Sequence, residues 1–409
     1  MLDFSARLQS PEFAQQARHA DHPHAFTRQR KLPLPKLVAA LLSLRAQSQR
    51  AMLDGFFNGL GHDASPVSDR AFAKAREQLH PAALGTLNTA LLTQLEAAGQ
   101  LPRWRGLRVV AGDASVLRPA LRQCLRTRHT AEPDQRLFAL YLPGAELTLH
   151  ASVHGAQVSE RAMLVEALDA LSPQDVLVLD RGYPARWLAA LLGARGIRFV
   201  MRCDNASGWA AQQRFARGSQ VEAWVELPAP DAQDVVDWGC PSGPVRLRLV
   251  RQIAPSGAVR VLATNLSEQQ VPAQAFGELY HQRWRIEEAF KRLKHRLHLE
   301  AVSGLSQRAL LIDVAAKVLA DNLTALLCGA AEAAAGLPER QRKCIRAYAI
   351  PLVQGRLPKM LLGLLEDLVG AIDALLQALA RAWQRYRPGR SRPRKPAHVK
   401  PHPSAVYKG

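Results

Sequence analysis

The sequence predicts an α/β fold: a mixed sheet with a β-rich insertion, an N-terminal helical domain and C-terminal helices. Between residues 105 and 202, short runs rich in β-branched residues alternate with helical stretches, a pattern that indicates a sheet covered by helices. On both sides of that region, apolar residues recur at intervals of three and four, which is the period of amphipathic helices. Glycine, proline and alternating strands interrupt this rhythm between residues 203 and 271.

Helical periodicity is clear in residues 1–104, which we predict to form a helical domain. Apolar residues recur at three and four in "KLVAALLSLRAQSQRAMLDGFF" and again in "AALGTLNTALLTQLEAAG". Ser68 directly precedes "DRAFAKAREQL". Serine is a favoured N-cap because its hydroxyl accepts a hydrogen bond from a free backbone N–H of the first turn. We therefore expect a helix to begin immediately after Ser68.

The strand pattern begins near residue 105 and runs to residue 202. Strands are predicted at "LRVVAGD", "LFALYL", "LTLHASVHG", "DVLVLD" and "IRFVMR", with helices at "SERAMLVEALDAL" and "PARWLAALLGARG". Residues 203–271 read as a β-rich insertion, because "QVEAWVEL", "PVRLRLVRQI" and "AVRVLATNL" follow one another without a helical run of comparable length. Residues 272–384 return to helical periodicity and are predicted to complete the core with helices packed on the sheet.

The charge balance points to a polyanionic partner. The chain of 409 residues has 54 lysines and arginines against 35 acidic residues, a formal net charge of +19 with a sequence pI of about 10.4. Nucleic acid fits best, because neutralising phosphates with basic side chains releases counterions. An anionic membrane is disfavoured, since no run of about 18 apolar residues is present. In the N-terminal region the basic residues that could face DNA, or could simply be solvated, are Arg28, Arg30, Lys31, Arg70, Lys74 and Arg76.

Residues 385–409 are predicted to form a basic, disordered tail. The stretch "RYRPGRSRPRKPAHVK" is rich in arginine, lysine and proline and contains no acid, so it cannot bury enough apolar surface to fold alone. The tail either contacts nucleic acid or is merely solvated. The five cysteines are widely spaced and form no C-x-x-C pattern, which indicates a reducing compartment and no zinc site. No export signal is recognisable at the N-terminus, so a cytoplasmic location is expected.

One helical stretch, "YHQRWRIEEAFKRLKHRLHLE", places a carboxylate among basic side chains. At about 100° per residue, one stripe lies within about 60° of Tyr280. Besides Tyr280, this stripe contains Arg283, Glu287, Lys291, Lys294 and His298. Glu288 leaves it, and the apolar residues form a neighbouring stripe. The ordinary alternative is that Arg283 and Glu287 are an (i, i+4) ion pair worth a few tenths of a kcal/mol on any helix.

Two more carboxylates are predicted at the ends of strands. Asp113 closes "LRVVAGD" and Asp180 closes "DVLVLD", and a turn is expected after each. Such an acid is commonly only a turn former. Together with Glu287, however, the two aspartates could hold Mg²⁺, which prefers oxygen ligands, while the neighbouring basic groups bind phosphate. Two such metal ions about 3.5–4 Å apart would stabilise the attacking and leaving oxygens of a phosphoryl transfer.

These residues resemble a known family. The pattern Y-x2-R-x3-E-x6-K, formed here by Tyr280, Arg283, Glu287 and Lys294, is similar to the signature helix of DDE transposases of bacterial insertion sequences. "LDRGY" resembles the second acidic motif of one subgroup, "GDAS" the first acidic motif, and "LATNL" the segment before the signature helix. The resemblance covers residues 105 to about 300, with the motifs in the expected order.

The resemblance implies a ribonuclease-H-like catalytic domain, interrupted by a β-rich insertion between the second aspartate and the glutamate. It further implies that Asp113, Asp180 and Glu287 form a catalytic triad that binds Mg²⁺, with Mn²⁺ as an alternative metal. The residues that would contact DNA are Tyr280, Arg283, Lys291, Lys294 and Trp284. For Trp284, stacking on a base and packing under the insertion remain equal alternatives.

Related enzymes can pass through a DNA hairpin, in which a tryptophan of the insertion holds an extruded base. Trp209, Trp224 and Trp238 are available in residues 203–271, but none belongs to a recognisable motif. The choice between a hairpin and another cleavage route therefore stays open. The helical domain at 1–104 is the expected reader of DNA ends, by its position and its charge.

The leading hypothesis is a transposase. It would bind the terminal inverted repeats of its own insertion sequence, cleave DNA strands with the help of a metal ion and transfer them into target DNA. The resemblance implies double-stranded DNA as partner, both as transposon ends and as target, a homodimer in the DNA complex, no membrane, and a cytoplasmic, nucleoid-associated location. Two alternatives remain open: a decayed or repurposed DNA-binding protein without catalysis, and a magnesium-dependent nuclease that does not join strands.

Overall fold

The computed structural model describes residues 2–27, 31–44, 47–61, 66–119, 121, 134–203, 208–253, 257–338 and 340–385. The predicted basic tail, apart from Arg385, lies outside the described residues, as do Arg28 and Arg30 of the N-terminal region. The helices are α1 Leu2–Leu8, α2 Pro11–Gln16, α3 Leu34–Leu42, α4 Gln49–Leu60, α5 Asp69–Glu77, α6 Ala83–Ala97, α7 Glu160–Glu166, α8 Arg186–Ala194, α9 Ala210–Arg217, α10 Ala232–Trp238, α11 Phe276–Gln282, α12 Arg285–His295, α13 Gln307–Ala334, α14 Arg346–Leu361 and α15 Leu368–Arg381. The strands are β1 Arg108–Leu117, β2 Gln135–Leu142, β3 Leu147–Gly155, β4 Asp175–Leu179, β5 Arg198–Cys203, β6 Glu222–Leu227, β7 Val245–Ile253, β8 Val259–Thr264, β9 Arg342–Cys344 and β10 Trp383–Arg385.

The chain divides into two units, which we call the helical unit and the sheet unit. The helical unit comprises Met1–Gln94, Leu117–Gln135 and Lys291–Gly409, and the sheet unit comprises Leu95–Val116 and Arg136–Phe290. Three separate stretches of sequence therefore build the helical unit, whereas the sheet unit is interrupted once.

The helical unit contains the predicted N-terminal helices. Ser68 caps α5 as expected, since its Oγ accepts a hydrogen bond from the Ala71 N–H at 3.2 Å. Helices from the two ends of the chain are joined inside this unit: Asn322 donates to Asn88 at 2.6 Å, and the Ser43 hydroxyl donates to the Gln354 carbonyl at 3.3 Å. The N-terminal and C-terminal helices therefore pack in one unit.

The sheet unit is built on eight strands in the order β3-β2-β1-β4-β5-β8-β7-β6. Strands β1, β4 and β5 pair in parallel, while β5, β8, β7 and β6 pair antiparallel in succession. Residues of β4 are fully buried, as expected for a parallel strand covered on both faces. The predicted mixed α/β sheet with N-terminal and C-terminal helices is confirmed.

The region from 203 to 271 has its own helices and strands, but its strands extend the main sheet. Strand β8 pairs with β5 from Val200↔Thr264 to Cys203↔Val261, and β7 and β6 follow outward. The last four residues of β8 are apolar or small. They pair with β5 and are buried in the sheet. Helices α9 and α10 lie in the same stretch of sequence.

Two sequence expectations about local structure were wrong. Strand β1 does not end at Asp113 but continues to Leu117, whose side chain is fully buried. The predicted single helix from Tyr280 to Glu300 is two helices, α11 and α12, and α12 ends at His295. Around Arg283 the backbone bonds shorten to three-residue spacing, with the Arg283 N–H donating to Tyr280 and the Trp284 N–H to His281. His298 lies beyond the helix with a φ of 49°.

None of the helices in the described ranges combines the length and the apolar character needed to cross a membrane.

Candidate active site

The parallel register of β1 and β4 brings Asp113 and Asp180 to the same level of the sheet. The strands pair from Arg108↔Asp175 to Ala111↔Val178, and each acid lies five residues after one member of the first pair. Asp113 is inside β1 and Asp180 directly follows β4. The second of the two predicted strand ends is therefore confirmed, and the two side chains are neighbours because both strands run in the same direction.

A buried ion pair fixes this register at the opposite end of the strands. Arg108 Nε lies 2.6 Å from Asp175 Oδ1, and its Nη2 donates to Oδ2 at 2.8 Å. The Ser172 N–H also donates to Asp175 Oδ2, at 2.7 Å. The Asp175 side chain is fully buried, and these donors balance its negative charge.

Arg283 gathers the three acids of the predicted triad. Its Nη1 lies 3.3 Å from Asp113 Oδ2, while its Nη2 lies 3.1 Å from Glu287 Oε1 and 3.6 Å from Asp180 Oδ2. The guanidinium is only 4% exposed. The side chain that is predicted to contact DNA thus ion-pairs with all three carboxylates. The (i, i+4) pair of Arg283 with Glu287 exists, but it is one of three contacts.

Tyr280 completes the cluster from the last turn of α11. Its hydroxyl donates to Asp180 Oδ1 at 3.0 Å, and the residue is almost fully buried. Burial, followed by the negative charge of Asp180, raises the pKa of the Tyr280 phenol, so it stays protonated and acts as a donor. Burial also raises the pKa of Asp113 to about 6, although Arg283 and the Ala114 N–H oppose the shift.

Two residues at the site were not predicted. Glu160, in the first turn of α7, is a fourth carboxylate: Arg136 Nη1 lies 3.5 Å from it, and its charge contributes to the raised pKa of Asp113. The Tyr183 hydroxyl is buried and has no hydrogen-bond partner among the described residues. Burial, then the charges of Glu160, Asp113 and Asp180, raise the pKa of the Tyr183 phenol. For Tyr183, the "DRGY" motif was a sequence signal that could have indicated a place at the site. Glu160 belongs to no recognised motif, so the sequence contains no such signal for it.

The donor set suits a hard divalent cation. Within the described ranges, no group of three or more His, Cys, Asp or Glu side chains is arranged so that it could hold a metal ion as it stands. The three carboxylates nevertheless lie within reach of a single guanidinium, and they supply only oxygen donors. Mg²⁺ and Mn²⁺ prefer such ligands. The residues therefore fit a divalent ion, on the condition that Arg283 withdraws from the oxygens that would bind it.

Trp284 directly follows Arg283 in the chain and is 42% exposed. The Arg260 guanidinium carbon is 5.6 Å from the ring centroid, and the His281 ring is 5.4 Å away. Trp284 also lines a cavity of about 330 Å³ together with Gln252 and Tyr280. Its contact with Arg260 of β8 agrees with packing against the insertion, and its exposed face leaves room for stacking.

Lys291 and Lys294 belong to the helical unit, on the last turns of α12. Lys291 is exposed, and Lys294 is partly buried with a pKa lowered by that burial. Of the eight predicted site residues, the structure gathers Asp113, Asp180, Glu287, Tyr280 and Arg283 through direct contacts.

The tryptophans of the insertion differ in their availability. Trp209 is buried, and Trp238 stacks on Trp187 with ring centroids 4.3 Å apart. Trp224 is 37% exposed, and its indole N–H donates to Glu268 at 2.6 Å. Of these three, Trp224 is the most exposed, and the Arg246 guanidinium carbon lies 5.0 Å from its ring centroid.

Comparison with known proteins identifies the family of the chain. A family model described as "Transposase DDE domain" matches residues 104–323, more than half of the chain. No curated protein matches the chain in sequence. Among solved structures, the chain is similar to one titled "Cryo-EM structure of piggyBac transposase synaptic complex with hairpin DNA (SNHP)". That match has 11% identity and a TM-score of 0.47, and it covers 95% of this chain and 86% of the other.

Proposed function

This chain belongs to the transposase DDE domain family, and from that premise we propose that it cleaves DNA strands and transfers them into target DNA. We assign it to transposases of bacterial insertion sequences with the "DRGY" motif, acting on the terminal inverted repeats of its own element. The observation that carries the proposal is the meeting of Asp113, Asp180 and Glu287, from three separate elements, on one guanidinium inside the matched region.

The proposed chemistry assigns each group a role. Asp113, Asp180 and Glu287 would hold Mg²⁺, or Mn²⁺ in its place. The bound ion would supply Lewis-acid stabilisation of the charge that develops on the phosphate oxygens. Tyr280 keeps its proton and orients Asp180 through their hydrogen bond. Arg283, Lys291 and Lys294 would bind DNA phosphates, and Trp284 offers an aromatic face to a base. Water attacks first, and the freed 3′-hydroxyl attacks the target strand in the second step.

The partners follow from the same proposal. Double-stranded DNA would be bound as transposon ends and as target, with a net charge of +19 favouring both. We propose a homodimer in the DNA complex, because two ends must be processed together, and action on DNA in the cytoplasm. Residues 1–104, which carry α1 to α6, are the proposed reader of the ends.

The decisive experiment compares two adjacent carboxylates. We expect a marked copy of the element, with its native flanks, to be excised by the wild-type protein in Mg²⁺ and not by Glu287→Gln. The matched control is Glu288→Gln, which changes the same charge on the same helix. It should still excise, because Glu288 lies about 100° away from Glu287 around the helix and is not one of the proposed metal ligands.

Retention of end binding by Glu287→Gln, measured by gel shift, separates loss of chemistry from loss of DNA binding. Excision by Glu287→Gln at the wild-type rate would refute the proposed triad. If the wild-type protein binds DNA tightly without excising or nicking it, the non-catalytic alternative replaces the transposase. Cleavage of the ends without any joined product would instead favour a nuclease.

A further inference from the structure

The ion pairs of Arg283 conflict with the roles proposed for Arg283 and for the three acids. Arg283 ion-pairs with Asp113, Asp180 and Glu287 at 3.3, 3.6 and 3.1 Å. The same three acids are the proposed ligands of a divalent cation, and the same arginine is a proposed ligand of DNA phosphate. A guanidinium in contact with all three acids cannot serve a phosphate at the same time.

The conflict between Arg283 and a divalent cation is electrostatic. A guanidinium and a divalent cation repel each other, and they compete for the same carboxylate oxygens at short range and in a largely buried site. The Arg283 side chain is 4% exposed, so water screens this repulsion poorly. Metal binding is therefore weakened for as long as the guanidinium stays among the acids.

Nothing else in the described structure holds Arg283 strongly in this position. Its Nε is buried and lacks a hydrogen-bond partner, and its other close feature is the Tyr280 ring, 5.9 Å from the guanidinium carbon. A phosphate can accept two parallel hydrogen bonds from a guanidinium, an interaction at least as strong as a single carboxylate contact. Arg283 has three carboxylate contacts to give up, so DNA phosphate competes for the guanidinium when a divalent cation takes over the three acids.

We propose that Arg283 is a positioning residue that couples metal loading to DNA binding. Without DNA, its guanidinium supplies the positive charge that keeps the three carboxylates together and disfavours a divalent cation. When DNA binds, a phosphate takes over the guanidinium and frees the carboxylate oxygens. The inference rests on the proposed function, because it assumes that the acids bind metal and that DNA is the substrate.

The first measurement is the affinity of the DNA-free protein for Mn²⁺. The electron paramagnetic resonance signal of the free ion reports how much Mn²⁺ is bound. We expect Arg283→Gln to bind Mn²⁺ at least about tenfold more tightly than the wild type, which corresponds to about 1.4 kcal/mol. Arg283→Lys keeps a positive charge and should stay close to the wild type. Arg285→Gln is the matched control: Arg285 is two residues further on, donates to the Pro143 carbonyl and contacts Glu146, so its loss should leave Mn²⁺ affinity unchanged.

The second measurement adds a short duplex of the native element end, with the Mn²⁺ bound by DNA alone subtracted. The wild type should then gain affinity to the level of Arg283→Gln, whereas Arg283→Gln should gain little. Asp180→Asn should lose the binding in every condition, which identifies the site that is being measured.

Equal Mn²⁺ affinity of the wild type with and without DNA would overturn the coupling, and so would weaker binding by a folded Arg283→Gln. If Arg283→Gln does not fold, as judged by circular dichroism, the wild-type comparison with and without DNA decides alone. These results are independent of excision. A wild-type protein that excises but shows no coupling would refute only this inference, whereas coupling without any strand cleavage would refute the proposed function.

Discussion

Asp113 carries a carboxyl group of the site whose charged form is disfavoured by burial. Burial raises the pKa of its carboxyl to about 6, even though Arg283 and a backbone N–H stabilise the charged form. Desolvation therefore outweighs the attraction of a neighbouring guanidinium, and perturbed pKa values of this kind cluster at functional sites.

This balance predicts a pH dependence of stability. Since the folded-state pKa lies above the usual value of about 3.9, Asp113 stabilises the fold at low pH, and that contribution is lost as pH rises through about 6. The melting temperature of the wild type minus that of Asp113→Asn should therefore fall between about pH 4 and pH 6 and then level off. Calorimetric scans across this range measure the difference. A difference that stays constant would show that Asp113 has an ordinary pKa.

At the residue scale, sequence patterns identified the acids but not all of their neighbours. Asp113, Asp180 and Glu287 could be predicted because each lies in a motif of fixed spacing. Glu160 could not, because its approach depends on how α7 packs above the sheet, and the sequence around it resembles any amphipathic helix. Tyr183 lies in the "LDRGY" motif, but the motif does not indicate that its buried hydroxyl lacks a hydrogen-bond partner among the described residues.

At the element scale, the register of β1 and β4 does more for the site than any single side chain. The pair Arg108–Asp175 joins the starts of the strands, and the acids Asp113 and Asp180 follow at equal distances along them. A shift by one residue would turn one acid to the opposite face of the sheet. The buried pair is therefore well placed to specify the register as well as to stabilise it.

Removing one partner tests this role. We expect Arg108→Met to lower the free energy of unfolding by about 3–5 kcal/mol, because Asp175 would remain buried without its counter-ion. Arg103→Met removes a more exposed pair with Glu96 and should cost no more than about 1 kcal/mol. Differential scanning calorimetry of the two variants gives the comparison. Equal melting temperatures for both would mean that the Arg108–Asp175 pair contributes nothing beyond a surface contact.

Element types could be predicted from periodicity, whereas their ends depended on tertiary contacts. The helices of residues 1–104 and the strands of the core follow from spacing alone. The interruption between α11 and α12 does not, because "HQRWRIEE" contains no proline or glycine that would signal it. The structure instead holds Arg283 among three carboxylates, and the local shortening of backbone hydrogen bonds accompanies that placement.

At the scale of the whole molecule, excess positive charge is the dominant property. The net charge of +19 predicts DNA binding that weakens steeply with salt, because each neutralised phosphate releases counterions. The part of that charge in residues 386–409 lies outside the described residues, so its contribution is a question for measurement.

We expect a chain truncated after Arg385 to bind nonspecific duplex DNA with a smaller salt dependence. The slope of log K against log salt should decrease in magnitude by about 0.9 for each DNA phosphate that the truncated chain no longer neutralises. Fluorescence anisotropy at several NaCl concentrations measures both slopes. The melting temperature of the truncated protein serves as the control and should not change. An unchanged slope would assign the tail to solvent and leave DNA binding to the remaining chain.

The discontinuous helical unit has a consequence for synthesis on the ribosome. Helix α3 buries seven of its nine residues, and partners of this N-terminal region, such as Gln354 and Asn322, are translated last. The sheet unit can close while translation continues, but the first helices must wait for the final third of the chain. A message cut short would therefore yield a chain with exposed apolar helices, prone to aggregation and degradation.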